Sequence, residues 1–318
     1  MKKLRSLTQK ELDQQLHSDA IYLVLFVLTI LCFSISWAQY TAYKNDASSL
    51  IRIQQRDKRA GVDVDQILAG GPITFSNGEK AEVVTSLQDA GEKAKQDLVE
   101  MAPRNSFDHI LGSSMFIVFP ITMVIYTISF AYRELKNNQV RIKASMNSIQ
   151  NVVLSKLISL SMLTFLSLIF ICLTSFIFQL GFNNFIHIPN KLALIRYLAD
   201  GQSYLAQAPL QFLSVFGLSL IAVIVSYYLT LLLKRPWLAG ILMFGYFSGI
   251  PVLGSFDFKQ NAVLLYSKLF HENSPFTPIQ INGDFTLMGF VGCCLVTLLI
   301  AGVIDYIVTR NHYLTRTS

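Results

Sequence analysis

The chain alternates between polar stretches and apolar runs of the length a membrane demands. The runs cover residues 20–38, 110–131, 157–180, 212–233, 237–254 and 285–308, and a helix needs roughly 20 residues to cross a ~30 Å hydrocarbon core. Six spans are therefore expected. Between and around them lie polar segments at 1–19, 39–109, 132–156, 181–211, 255–284 and 309–318. The pattern predicts an all-α polytopic membrane protein with six transmembrane helices and both termini cytoplasmic. A small α+β extracytoplasmic module is expected between spans 1 and 2.

Each polar segment carries its own signal. In 1–19, Thr8 and Glu11 have the spacing of a capping box, and Leu12 and Leu16 share one helical face. This predicts an amphipathic helix on the inner membrane surface. Ser36 and Ala38 resemble a signal-peptide cleavage site, but the run before them exceeds the ~7 to 15 residues of a signal core, so span 1 is expected to stay uncleaved. Segment 39–109 reads as helix, hairpin, helix, with Asn77-Gly78 at the tight turn. It is expected to act as a lid or partner-recognition module. A short surface helix is expected near 192–198. The run 260–270 is too short to cross and reads as an interfacial or re-entrant helix.

Within the spans, Pro120 removes one backbone bond from span 2. Lys234-Arg235-Pro236 joins spans 4 and 5 so tightly that they must be antiparallel neighbours. Gly245 and Gly249 have small-xxx-small spacing, which permits close helix approach. Asp305 is the one acid in an apolar run, and its place near the end of span 6 favours a structural, snorkelling role. Ser113, Ser114, Thr122 and Tyr126 scatter hydroxyls along span 2. Such groups line pathways, or else bond to their own helix carbonyls and neighbouring helices.

Segment 132–156 has the most to say. Ile142, Met146, Ile149 and Val153 recur at steps of four, three and four, a single helical stripe, while Arg141, Lys143, Ser145, Asn147, Ser148 and Gln150 lie opposite. An element patterned this way is suited to docking.

Composition sharpens the reading. The 318 residues are 52% hydrophobic and 14% charged, with mean hydropathy +0.45, outside the range of a soluble domain. Half of the 26 Lys and Arg fall at the termini and in the segments placed inside, against only Glu11, Asp13, Asp19 and Glu134 before Asp305 is counted. Cations resist translocation, so this asymmetry sets the orientation and accounts for most of the net +6 without a nucleic-acid partner. Cys32, Cys172, Cys293 and Cys294 all sit in apolar runs, so no disulfide framework is indicated. No P-loop, His-Glu-x-x-His pair, Gly-x-Ser-x-Gly elbow or intramembrane cluster of acids and histidines occurs. Catalysis by this chain and ion-coupled transport are both disfavoured. No catalytic, cofactor or metal residues are assigned.

A six-span protein with no engine of its own and an amphipathic inner helix resembles the membrane-spanning permease subunit of an ABC transporter of the type-2 exporter class. Arg133-Glu134, Ser145-Met146 and Ser155-Lys156 stand where that family's loop between spans 2 and 3 carries its landmarks. Asn137-Asn138 replaces a glycine there, and the family's proline is absent. The architectural likeness covers nearly the whole chain. It implies a coupling helix at 134–147 seated on a separate cytoplasmic ABC ATPase that binds ATP and Mg. Arg133, Glu134, Arg141, Ile142, Lys143, Met146 and Lys156 would form the coupling set. It also implies a second permease, self or sibling, and a cargo route bordered by spans 2 and 5, with Ser113, Ser114, Thr122, Tyr126, Phe244 and Ser248 along it. The cargo would be hydrophobic or amphipathic (a peptide, antibiotic or lipid-like molecule) crossing a bacterial cytoplasmic membrane. The alternative is a non-transporting sensor or scaffold that recruits a cytoplasmic signalling partner.

Overall fold

A computed structural model describes residues 2–59, 73–74, 80–81, 86–112, 115–185, 206–248, 258–269 and 287–310. Their elements are α1 (Lys2–Leu16), α2 (Asp19–Arg59), β1 (Ile73–Thr74), β2 (Lys80–Ala81), α3 (Ser86–Met101), a 3-10 turn (Pro103–Asn105) and α4 (Ser106–Gly112). They continue with α5 (Met115–Lys136), α6 (Gln139–Met146), α7 (Ile149–Phe185), α8 (Ala208–Leu233), α9 (Pro236–Ser248), α10 (Phe258–Leu269) and α11 (Leu287–Arg310). Among the described residues, α2, α5, α7, α8 and α11 are long and apolar enough to cross a membrane. The protein is an all-α, multi-pass membrane protein. The run expected as span 5 appears as the apolar helix α9, 13 residues long, and residues 249–254 lie outside the described set. The expected surface helix near 192–198 also lies outside it.

Two expectations about α1 change. Helix α1 already runs from Lys2, so Thr8 is in mid-helix and caps nothing. Glu11 and Gln15 are buried while Leu16 is exposed, so α1 docks by its polar stripe rather than its leucines. Helix α2 passes straight through Ser36 and Ala38 for 41 residues, which at 1.5 Å each is about 60 Å.

The chain divides into two compact units, one formed by Met1–Leu28, Leu111–Ile171 and Pro209–Ser318, the other by Thr29–Ile110 and Cys172–Ala208. In the first, Val124 and Ile128 of α5 pack with Ala222 of α8 and Ala239 and Met243 of α9. Lipid tails are as apolar as these side chains, so dispersion and close fit stabilise the contact. The turn into α9 places Lys234 at φ 52 and Pro236 at the first helical position, where its missing N–H has no intrahelical acceptor to lose. A Cβ at Gly245 would meet nothing within 4 Å, so no close helix approach uses it here; Gly249 lies outside the described residues. Pro120 falls within α5 without ending it. Helix α10 is bound by polar contacts: Tyr266 donates to the Gly112 carbonyl, Gln211 Nε2 to Leu269 O at 2.8 Å, and Asn261 Nδ2 to Cys293 Sγ at 3.3 Å. Asp305 is half-buried and hydrogen-bonded with Tyr228.

In the second unit, Tyr43, Ala47 and Leu50 repeat at helical spacing along α2 and pack with Ala94 and Met101 of α3. Phe33, Trp37 and Tyr40 of α2 meet Phe182 of α7 with ring centroids 5.6–5.9 Å apart. The strands β1 and β2 pair antiparallel, Ile73 with Ala81 and Thr74 with Lys80; Asn77 and Gly78, read from the sequence as a tight turn, lie outside the described residues.

Asp97 of α3 lies beside the α2 contact. Burial, and then the Asp46 and Glu100 carboxylates, push its carboxyl from 3.8 up to about 7. The folded chain keeps a proton that the unfolded chain releases near 3.8. The stability this supplies is whole below that value and is lost as pH rises through about 7. Amide exchange across residues 86–101 should therefore quicken between about pH 4 and pH 7.5 beyond its intrinsic pH dependence. Asp97→Asn should remove that excess and exchange more slowly than wild type at the upper end.

Candidate functional site

The loop between α5 and α7 is built from two breaks. Asn138 takes the left-handed conformation, φ 52 and ψ 19, which glycine adopts most cheaply and asparagine tolerates better than other residues. That ends α5 and lets Ile142 N–H reach Asn138 O at 3.0 Å, opening α6. At the far end Asn147 is extended, φ −143 and ψ 161. Ser148 then caps α7, its Oγ accepting from the Asn151 N–H at 3.3 Å. The expected helix over 134–147 is thus shorter, Gln139–Met146, and Glu134 belongs to α5. The break also ends the expected four-residue stripe: Ile142 on α6 is 60% exposed, whereas Val153 on α7 is buried.

Around these breaks four charged side chains close a ring. Lys143 Nζ donates to Glu11 Oε1 at 2.6 Å and lies 4.0 Å from Glu134 Oε1. Lys156 Nζ donates to Glu134 and lies 3.8 Å from Glu11 Oε2. The charges alternate and cancel, which offsets part of the desolvation cost of placing them where Glu11, Glu134 and Lys156 are almost wholly buried. Lys156 also sits 5.7 Å from the Phe130 ring centroid, a cation–π contact. Gln15 Nε2 donates to Ser159 Oγ at 2.8 Å, adding a buried bond between α1 and α7. Lys143 further donates to Gln14 Oε1 at 3.3 Å, and Gln14 Nε2 to Gln139 Oε1 at 3.5 Å. Polar contacts thereby tie together α1, α6 and the adjoining ends of α5 and α7.

The expected coupling residues divide by position. Glu134, Lys143 and Lys156 converge in the ring, so Glu134 and Lys156 are internal ties rather than part of an exposed collar. Arg133 is exposed at the end of α5, and Ile142 points outward. Arg141 and Met146 stand on α6, with side chains outside the described set. Of the six residues expected along a cargo route, the side chains of three are described. Thr122 bonds back to Val118 O at 2.8 Å, Tyr126 is buried and stacked on Phe130, and Phe244 is exposed. Ser113 and Ser114 lie outside the described residues, as does the Ser248 side chain. Among the described residues no group of three or more His, Cys, Asp or Glu is arranged to hold a metal. Glu11, Gln15 and Ser159 complete the site without having been expected there. Their one sequence cue was an acid and an amide four residues apart on one face of α1.

Comparison with protein-family models, with curated proteins and with solved structures finds no match to this chain.

Removing one partner from a buried pair leaves a charge unmatched and costs roughly 3–5 kcal/mol. Lys156→Met should accordingly lower the thermal unfolding midpoint of the purified protein markedly. The double variant Glu134→Gln with Lys156→Met, which buries no lone charge, should recover most of the loss; equal losses would show that charge balance is not what holds the site.

Proposed function

We propose that this chain is the permease subunit of an ATP-driven exporter similar to the type-2 class of ABC transporters. The observation that supports it most is α6: a short helix set between the ends of α5 and α7, with Ile142 turned outward and both helices tied behind it by Glu134 and Lys156. A partner pushing on α6 would act on both spanning helices at once. Asn138 adds support, since it holds a glycine-like conformation where the resembled family carries glycine.

On this reading α9 and the residues after it complete a sixth span, and both termini and α6 face the cytoplasm, where the cations concentrate. The helix, hairpin and helix of residues 39–109 form the extracytoplasmic module. A separate cytoplasmic ATPase binds ATP and Mg and supplies the work. A second permease, identical or a sibling, closes the other side of a route bordered by α5 and α9. The cargo is hydrophobic or amphipathic and leaves across a bacterial cytoplasmic membrane.

Ile142→Asp places a charge on the exposed face of α6 without touching the ring. An ATPase subunit that co-purifies with the wild-type protein from membranes should be lost from this variant, while its thermal midpoint stays unchanged. Undiminished co-purification would remove α6 as the docking element.

A further inference from the structure

The ring has two close edges and two open ones. Close edges join Glu11 to Lys143, that is α1 to α6, and Glu134 to Lys156, that is α5 to α7. The open edges are the 4.0 Å separation of Lys143 from Glu134 and the 3.8 Å separation of Lys156 from Glu11. Glu11 Oε2 and Glu134 Oε2, though buried, accept no hydrogen bond.

Each close pair is neutral by itself. Either division of the ring leaves two neutral pairs, but parting it across the open edges keeps both charge-assisted hydrogen bonds, whereas parting it across the close edges breaks both in a poorly solvated site, which is costlier. The remaining polar contacts fall out the same way. Gln14 binds both Lys143 and Gln139, adding to the bond between α1 and α6, and among the described residues a single side-chain hydrogen bond, Gln15 to Ser159, crosses from α1 to α7. Joints also lie where such a division needs them. Asn138 and Asn147 interrupt the helix on either side of α6, and His17-Ser18 separates α1 from α2. Lys143 is the ring member in contact with solvent, its side chain 27% exposed.

We infer that α1 and α6 form one charge-neutral clasp that shifts as a unit against the paired ends of α5 and α7. A displacement of α6 is then handed to α1, and through Ser18 to the start of α2, as well as to the two helices it directly joins. This inference concerns the chain by itself and does not depend on which protein or load acts on α6.

Hydrogen exchange on the full-length protein in lipid nanodiscs tests it. Glu11→Gln weakens the charge-assisted bond at the clasp, so residues 2–16 and 139–146 should both exchange faster, on the order of tenfold, with the adjoining ends of α5 and α7 little changed. In the second variant, Glu134→Gln with Lys156→Met, the clasp keeps its own pair, and exchange in both segments should stay within about twofold of wild type. A rise confined to α1 in the first variant, or a comparable rise in both clasp segments in the second, would overturn the inference. If Glu11→Gln does not fold, the second variant alone still decides between a divisible ring and an indivisible one.

Discussion

A buried charge has to be answered by its opposite within a few ångströms, and the four ionised side chains around α6 meet that demand with no charge left over. Lys156 and Glu134 sit where α7 begins and α5 ends, at positions too enclosed for water to neutralise either one. Their pairing fixes how those two helix ends meet. Glu11 and Lys143 add a second neutral pair, and with it α1 and α6 become part of the same arrangement. Polar contacts give α1 much of its hold, since among the described residues its fully buried ones are Glu11 and Gln15 while its Leu16 is exposed.

The remainder of the membrane part follows a related economy of polar groups. Thr127, Thr164, Ser219, Thr230 and Thr297 each donate to the carbonyl four residues earlier in their own helix, at 2.6–2.8 Å. Thr122 does the same. Hydroxyls bonded this way are already satisfied, so their presence in a span says little about a polar path through it. Many of the polar contacts between elements lie instead around α6 and around α10, with further ones between Gln179 and Gln39 and between Tyr228 and Asp305. Helix α11 offers the contrast: Met288, Leu295, Leu299, Ile300 and Val303 are all exposed, as befits a helix facing lipid or another apolar surface.

Much of this architecture was legible in the order of residues. Apolar length located the membrane helices, and the shortness of α10 set it apart from them. These signals are local. The candidate site is not, because Glu11 and Lys143 stand 132 residues apart and no periodicity links them. Glu11 instead matched a capping pattern that requires a helix start at Thr8, and α1 had already begun. The stripe from Ile142 to Val153 misled for a related reason. Helical spacing assumes an unbroken helix, and the extended Asn147 resets the phase before Val153 is reached. Glu134 and Lys156 did carry a hint, as opposite charges at the rims of consecutive apolar runs, but a charge at such a rim can equally be solvated, as Arg133 beside Glu134 is.

The corner between α8 and α9 shows a different compromise. Lys234 holds a left-handed backbone that costs a residue with a side chain about 1 kcal/mol or more, where glycine would turn freely. Dragging a lysine to the bilayer centre costs at least ~2.5 kcal/mol, and Arg235 beside it adds a like amount. The two adjacent cations therefore act as a doorstop that opposes drawing this corner into an oily interior, while the left-handed backbone at Lys234 lets α9 fold back to pack with α8 and α5.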